Sequence, residues 1–303
     1  MTYPLSRRGL LAALPLVLAT GALAQEQRRR PGDGPAEIID DPRATTFQIG
    51  PSAAPWEILV GMPSVPAPPQ GYSAIIAVDG NATFPIFWHH RQMLAPDAPV
   101  VLVGVGYPGG HRFDTDRRWN DLTSTAMQPV VPTGERLRGP GDRPTGGREA
   151  LLMMIERQLL PELGGRVALN ADDLTLYGHS LGGLFVLHAL FTRPRLFRHF
   201  AAADPSTWWN SGEAMREAVA FAGGIAAAGG QLAQPTDLLI ARSGGKRRGD
   251  TNPQPETPEI VTALSGIGGL RVTYRPHPDE SHGSLIAPSA AEAMRQHLGM
   301  PQG

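Results

Sequence analysis

Ser180 stands at the centre of Gly178-His179-Ser180-Leu181-Gly182, a G-x-S-x-G pentapeptide. A serine hydroxyl is a weak nucleophile until a base takes its proton and its backbone holds it exposed. The flanks supply that setting. Leu174 to Tyr177 is a short apolar run that predicts a buried strand, and Leu181, Leu184, Phe185, Leu187, His188 and Leu190 recur at helical spacing. Strand, tight turn and helix are the context in which this pentapeptide presents its serine. Glycines at 178 and 182 let the strand and helix approach closely. The serine would then lie at a helix amino end, whose free N–H groups favour a developing negative charge. A glycine-rich strand-to-helix turn with an incidental serine is the plainer reading; both flanks, and a further glycine at Gly183, weigh against it.

The elements that must position this serine follow from the apolar pattern. Candidate strands are 45–49, 56–62, 72–78, 99–105, 174–177, 199–203, 237–241 and 270–274, and helical periodicity marks 83–93, 147–160, 213–220, 257–264 and 287–298. Strands that alternate with helices predict an α/β fold, an eight-stranded and mostly parallel sheet with helices on both faces and right-handed crossovers. No internal repeat or second core is apparent, so 44–303 is expected to be one domain. Residues 107–146 break the rhythm. They are rich in Pro, Gly, Arg and Asp, and a stretch of this length inside a compact domain points to a functional cover or an irregular excursion.

In the α/β-hydrolase arrangement the chain order is serine, acid, histidine. His282 follows the eighth strand, in His277-Pro278-Asp279-Glu280-Ser281-His282-Gly283, and is the expected base; His277 competes from the strand end behind Pro276. The acid is expected after the seventh strand, in the loop 243–256. Asp250 is the first candidate there, with Glu256 or Glu259 behind it; Glu280, two residues from His282, is a solvated loop charge or a substitute orienter, and a Ser–His pair without an acid remains open. The oxyanion donors would be the backbone N–H groups of Leu181, next to the nucleophile, and of Asn81, after the third strand. Asp79-Gly80 could equally be a plain turn.

The amino terminus predicts export. Ser6-Arg7-Arg8-Gly9-Leu10-Leu11 is a twin-arginine pattern, an apolar run to Leu18 follows, and Ala22-Leu23-Ala24 fits an A-x-A cleavage site. Residues 1–24 are therefore expected to be a signal peptide that engages the twin-arginine machinery, with a general secretory signal as the alternative. The apolar run is too short to span a membrane, so no membrane anchor is expected and the mature protein would be periplasmic or secreted. Residues 25–43 form a polar Pro/Gly linker. The formal net charge of −1 gives no basic field for nucleic acid. The absence of cysteine excludes disulfides, a thiol nucleophile and thiolate metal sites. No cofactor motif and no metal-ligand motif is apparent. Lys246 is the only lysine; the arginine-dominated charge suits an anionic substrate, although compositional bias explains it as well.

Asp79-Gly80, Gly104-Val105-Gly106-Tyr107, Arg118-x-x-Asp121-Leu122-Thr123, Gly178-His179-Ser180-x-Gly182-Gly183-Leu184-Phe185, Ser206-x-Trp208-Trp209 and Ser281-His282-Gly283 occur in this order. Together they resemble the putative-esterase branch of the α/β-hydrolases, nearest to periplasmic siderophore esterases that cut catecholate trilactones. The resemblance spans roughly 45–298. It implies a small-molecule ester substrate, a Ser–His pair, and a cleft loop containing Arg118, with Tyr107 and Trp208 as further substrate contacts. Arg118 would hold an anionic group of the substrate or pair with Asp121; Trp208 and Trp209 would wall the cleft or pack in the core. The arginine-rich insertion departs from the pattern and bears on the substrate more than on the chemistry. An acyltransferase and a non-catalytic ligand binder are the other classes compatible with these residues.

Overall fold

The computed structural model describes residues 34–127, 139–244 and 256–301. Eight strands form one sheet: β1 (Ala44–Ile49), β2 (Trp56–Gly61), β3 (Tyr72–Val78), β4 (Val100–Gly106), β5 (Leu169–His179), β6 (His199–Ala203), β7 (Gln231–Ser243) and β8 (Gly268–His277). Their order is β1-β2-β4-β3-β5-β6-β7-β8. The pairings of β1 with β2 and of β2 with β4 are antiparallel; all others are parallel. This is the α/β-hydrolase fold.

Residues 74–78 of β3 and 100–106 of β4 are all apolar because both faces of the sheet are covered there. Ile76 and Val78 of β3, Val103 of β4 and Phe200 of β6 point to one face. There they meet Leu151 and Leu152 of α3 (Arg148–Met154), Leu184 and Phe185 of α5 (Leu181–Thr192), Ala214 of α6 (Glu213–Ala227) and Ile260 of α7 (Glu256–Leu264). Ile75, Leu102 and Leu239 point to the other face, against Phe87 and Trp88 of α1 (Gly80–Leu94) and Ala293 and Met294 of α8 (Ile286–His297). Between α3 and α5 the chain passes through a π-helical turn (Ile155–Leu159) and α4 (Leu160–Arg166). Helix α2 is the single turn Arg117–Asp121.

Several elements run longer than expected, β5 from Leu169, β7 over Gln231–Ser243 and β8 over Gly268–His277 among them, and at two helices the boundary has a plain physical reason. Helix α1 begins at Gly80, three residues early, because Asp79 turns the chain out of β3 in a left-handed conformation, φ 53°. Helix α6 runs on through Gly223 and Gly224 to Ala227, since tertiary packing outweighs the modest cost of glycine in a helix.

Part of the presumed linker is fixed to the domain. Ala36 N–H donates to Gly110 O at 2.8 Å, and Arg112 N–H to Gly34 O at 2.9 Å. The described parts of 107–146 are sewn in place from several sides. Gly147 N–H donates to Asn120 O, Ala126 N–H to Thr145 Oγ1, and Met127 N–H to Asn210 Oδ1. Trp56 Nε1–H donates to the buried Asp121 carboxylate at 2.8 Å, which ties α2 to β2.

Candidate active site

Parallel strands deliver all their carboxyl ends to one edge, and the register brings particular residues together there. His179 pairs with Ala203 across β5 and β6, and Ala203 with Ala241 across β6 and β7. The next residues outward are therefore Ser180, Asp204 and Arg242, side by side. Ser180 N–H donates to Ala203 O, and Asp204 N–H to Ala241 O, which extends the ladder one step beyond the strands. Ser180 (φ 62°) and Asp204 (φ 42°) then both turn sharply with positive φ. Such non-glycine conformations cost about 1–3 kcal/mol each and persist where the surroundings over-determine them. At the elbow the room is made by Gly178: a Cβ there would lie 2.3 Å from Gly182 O.

His282 arrives from the loop after β8. That loop is held by Glu280 N–H on His277 O, by Leu285 N–H on Ser281 O and by the Ser281 and Ser284 hydroxyls on each other. His282 Nε2 lies 3.0 Å from Ser180 Oγ, and Nδ1 lies 2.5 Å from Asp204 Oδ2. Asp204 is 2% exposed. Burial opposes its charge, but the hydrogen bond from His282, the charge of Arg242 on Oδ1 and the Ser243 hydroxyl outweigh it and hold the carboxyl far below the usual range. An ionised carboxylate can only accept, so Nδ1 carries the ring proton and Nε2 accepts from the serine hydroxyl. The arrangement is a nucleophile, a base and an orienting acid in one hydrogen-bonded line.

The acid corrects the sequence expectation. Asp250 lies outside the described residues, Glu259 faces solvent, and the Nδ1 position is taken by Asp204, at the end of β6 rather than after β7. His277 is engaged elsewhere, 3.2 Å from Glu292. Asn81 and Leu181 fall in the first turns of α1 and α5, whose amino ends follow the neighbouring strands β3 and β5. The Asn81 side chain clamps the next loop: Nδ2–H donates to Tyr107 O at 2.9 Å, and Oδ1 accepts from Tyr107 N–H at 2.8 Å. Gly106 makes that clamp possible, because a Cβ there would lie 2.0 Å from Asn81 Oδ1.

Arg118 does not pair with Asp121. Its Nε and Nη2 donate to the two oxygens of Asp79 at 3.0 and 2.9 Å, while Asp121 is taken by Trp56, Asn120 and Arg117. Burial disfavours the Arg118 charge, and Asp79 restores it and raises its pKa. A bidentate pair of this kind holds this segment against the turn after β3. Tyr107 is buried, with the Arg117 guanidinium 4.8 Å from its ring centre. Trp209 is buried and donates to Ser124 Oγ; Trp208 is half-buried, edge-on to Trp119 at 6.3 Å.

Two further residues at the site escaped the sequence reading. Ser206 is buried, donates its N–H to Ser180 O and places its hydroxyl 3.3 Å from Ser180 Oγ. His179 lies under the base, its ring centre 4.4 Å from that of His282. Burial and the neighbouring His282 push its pKa down to about 3. The unfolded chain would bind a proton at His179 near pH 6.5, and the folded chain would not. Between pH 6.5 and about 3 the unfolded state therefore holds more protons, and stability falls as pH falls. Denaturant unfolding at pH 7, 6 and 5 should show a loss approaching ~1.4 kcal/mol per pH unit from this group, and the His179→Gln variant should show a shallower slope. An identical slope in the two proteins would contradict the assignment.

The family described as "Putative esterase" matches residues 54–282, and the chain belongs to this family. It is a carboxylic ester hydrolase. Among its relatives, the ferri-bacillibactin esterase BesA of Bacillus subtilis (strain 168) is 28% identical over 248 residues, covering 79% of this chain and 83% of the relative. The siderophore enterobactin esterase of Emericella nidulans is 29% identical over 272 residues, covering 79% and 88%. In fold, the BES protein of Bacillus cereus superposes with a TM-score of 0.72 at 23% identity, over 86% of this chain and 98% of that one.

Proposed function

We propose that the chain is an exported serine esterase that opens siderophore-type esters through an acyl-enzyme. The observation that carries this reading is the line Ser180–His282–Asp204 at the carboxyl edge of the sheet. Ser180 Oγ attacks the ester carbonyl as its proton passes to His282 Nε2. His282 then protonates the leaving alcohol, and later takes a proton from the water that releases the acid. Asp204 keeps the imidazole in the competent tautomer and stabilises the imidazolium. The N–H groups of Leu181 and Asn81 hold the oxyanion; both belong to first helical turns, where N–H groups have no partner within the helix. The substrate class rests on the two relatives, a ferri-bacillibactin esterase and an enterobactin esterase. Export rests on the twin-arginine pattern of residues 1–24.

The substrate is tested by supplying ferric and iron-free catecholate trilactones beside p-nitrophenyl esters. The expected result is trilactone opening with a kcat/KM well above that for the simple esters. Turnover of the simple esters alone would remove the siderophore assignment and leave the ester chemistry intact. Export is tested by the amino-terminal sequence of the protein recovered outside the cytoplasm. It should begin at Gln25, and Arg7→Lys with Arg8→Lys should retain the protein inside; export unchanged by that pair would point to general secretion.

A further inference from the structure

At the opposite edge of the sheet, where the parallel strands begin, a second cluster of ionisable side chains lines a cavity of about 480 Å³. Asp173 comes from the early part of β5, His199 opens β6, and His297 closes α8. Each offers one ligand atom, and these atoms all lie within 4.8 Å of one another. We propose that Asp173, His199 and His297 form a binding site for a zinc-class divalent cation, remote from the ester chemistry.

The geometry has four supports. First, His199 Nε2 stands 3.4 Å from Asp173 Oδ1. That is longer than an ordinary hydrogen bond, and close to the edge of a tetrahedron with metal bonds of about 2.0–2.1 Å. Second, the other ring nitrogen of His199 is buried without a hydrogen bond among the described residues, and the Asp237 carboxylate, held by Arg271 Nε at 2.8 Å, stands 3.0 Å from it, within reach of a small turn of the ring. A carboxylate behind the far nitrogen is how a ligating imidazole is oriented and made more basic. Third, His199 and His297 are both buried, 7% exposed, while Asp173 is half-buried and faces His199. Fourth, Gln296 Oε1 is buried, has no hydrogen-bond partner among the described residues and belongs to the wall of the same cavity, where a metal-bound water would satisfy it.

His297 currently meets two hydroxyls, Thr175 Oγ1 at Nδ1 and Ser73 Oγ at Nε2, each at 2.8 Å. Ligation exchanges one of these contacts, and the other keeps the ring in place. The nearby cations do not fill the niche: Arg271 is committed to Asp237, and Arg198 Nη1 to Pro235 O at 3.3 Å. A cation here would join β5 and β6 to the last helix, so its expected effect is on stability rather than on turnover.

The test uses the whole chain carrying His282→Asn, so that the His/Asp grouping at the catalytic edge cannot contribute. Chelator-treated protein is titrated with zinc chloride by calorimetry and with cobalt chloride by visible absorption. The expected result is one ion per chain, four-coordinate cobalt bands, and affinity reduced tenfold or more by Asp173→Asn and by His199→Asn. Asp173 is half-buried, so its variant remains informative if the buried histidine variant does not fold. Absence of saturable binding, or a titration unchanged by Asp173→Asn, overturns the proposal.

Discussion

The Ser180→Ala variant should fold as the wild type does and lose ester hydrolysis by a factor on the order of 10⁵ to 10⁶ in kcat. The expectation follows from the bonding at the elbow. The methyl group of alanine keeps Cβ in place, and the backbone bonds of residue 180, N–H to Ala203 O and carbonyl from Ser206 N–H, do not involve the side chain. What disappears is the one atom 3.0 Å from His282 Nε2. Ser206 has a hydroxyl only 3.3 Å away from that atom, yet it does not inherit the role, because it lies buried beside the turn with its N–H held by Ser180 O. The check is steady-state kinetics on one p-nitrophenyl ester, with near-UV circular dichroism and thermal unfolding to establish the fold. A residual rate within tenfold of the wild type would mean that Ser206 or water carries the attack.

Asp204→Asn should lower kcat by about 10³ to 10⁴ while leaving KM nearly unchanged. An asparagine can present its N–H₂ to His282 Nδ1. The imidazole would then carry its proton on Nε2, where it cannot accept from the serine. The same substitution strips Arg242 and Ser243 of a charged partner, so a drop in stability should accompany the loss of rate. Asp250→Asn is the companion variant, with an expected kcat within about twofold of the wild type, since the Nδ1 position is already occupied by Asp204. A fall of less than tenfold on Asp204→Asn would instead support a Ser–His pair that works without its acid, as the family resemblance implied.

Much of this fold is written in local patterns. The inner segments of the sheet, such as 74–78, 100–106, 174–177 and 238–241, are apolar runs, and such runs are legible because a strand covered on both faces needs an apolar residue at nearly every position. The elbow is legible for a different reason: Gly178 must pass within 2.3 Å of a carbonyl if it carried a Cβ, so the sequence has to spend a glycine there. The acid was not legible. Whether a strand end can reach His282 depends on which strand lies next to β5, and the order of strands in a sheet is not a local property of the chain. Asp204-Pro205 was visible as the end of a strand, but only the pairing of β5 with β6 sets it beside Ser180. Arg118 is a similar case. Its partner, Asp79, is far away in sequence and is reached only because the segment around Arg118 folds back over the end of β3.

The most direct measurement of the central claim is covalent labelling of the protein by a fluorophosphonate, read by mass spectrometry of the tryptic peptides. The reagent needs a serine hydroxyl with an adjacent base and an oxyanion site, which is the arrangement found at Ser180, His282 and Asp204. One adduct per chain is expected, on Ser180, formed at a rate that falls steeply in His282→Asn and in Asp204→Asn. An unlabelled protein, or an adduct on any residue other than Ser180, would contradict the account.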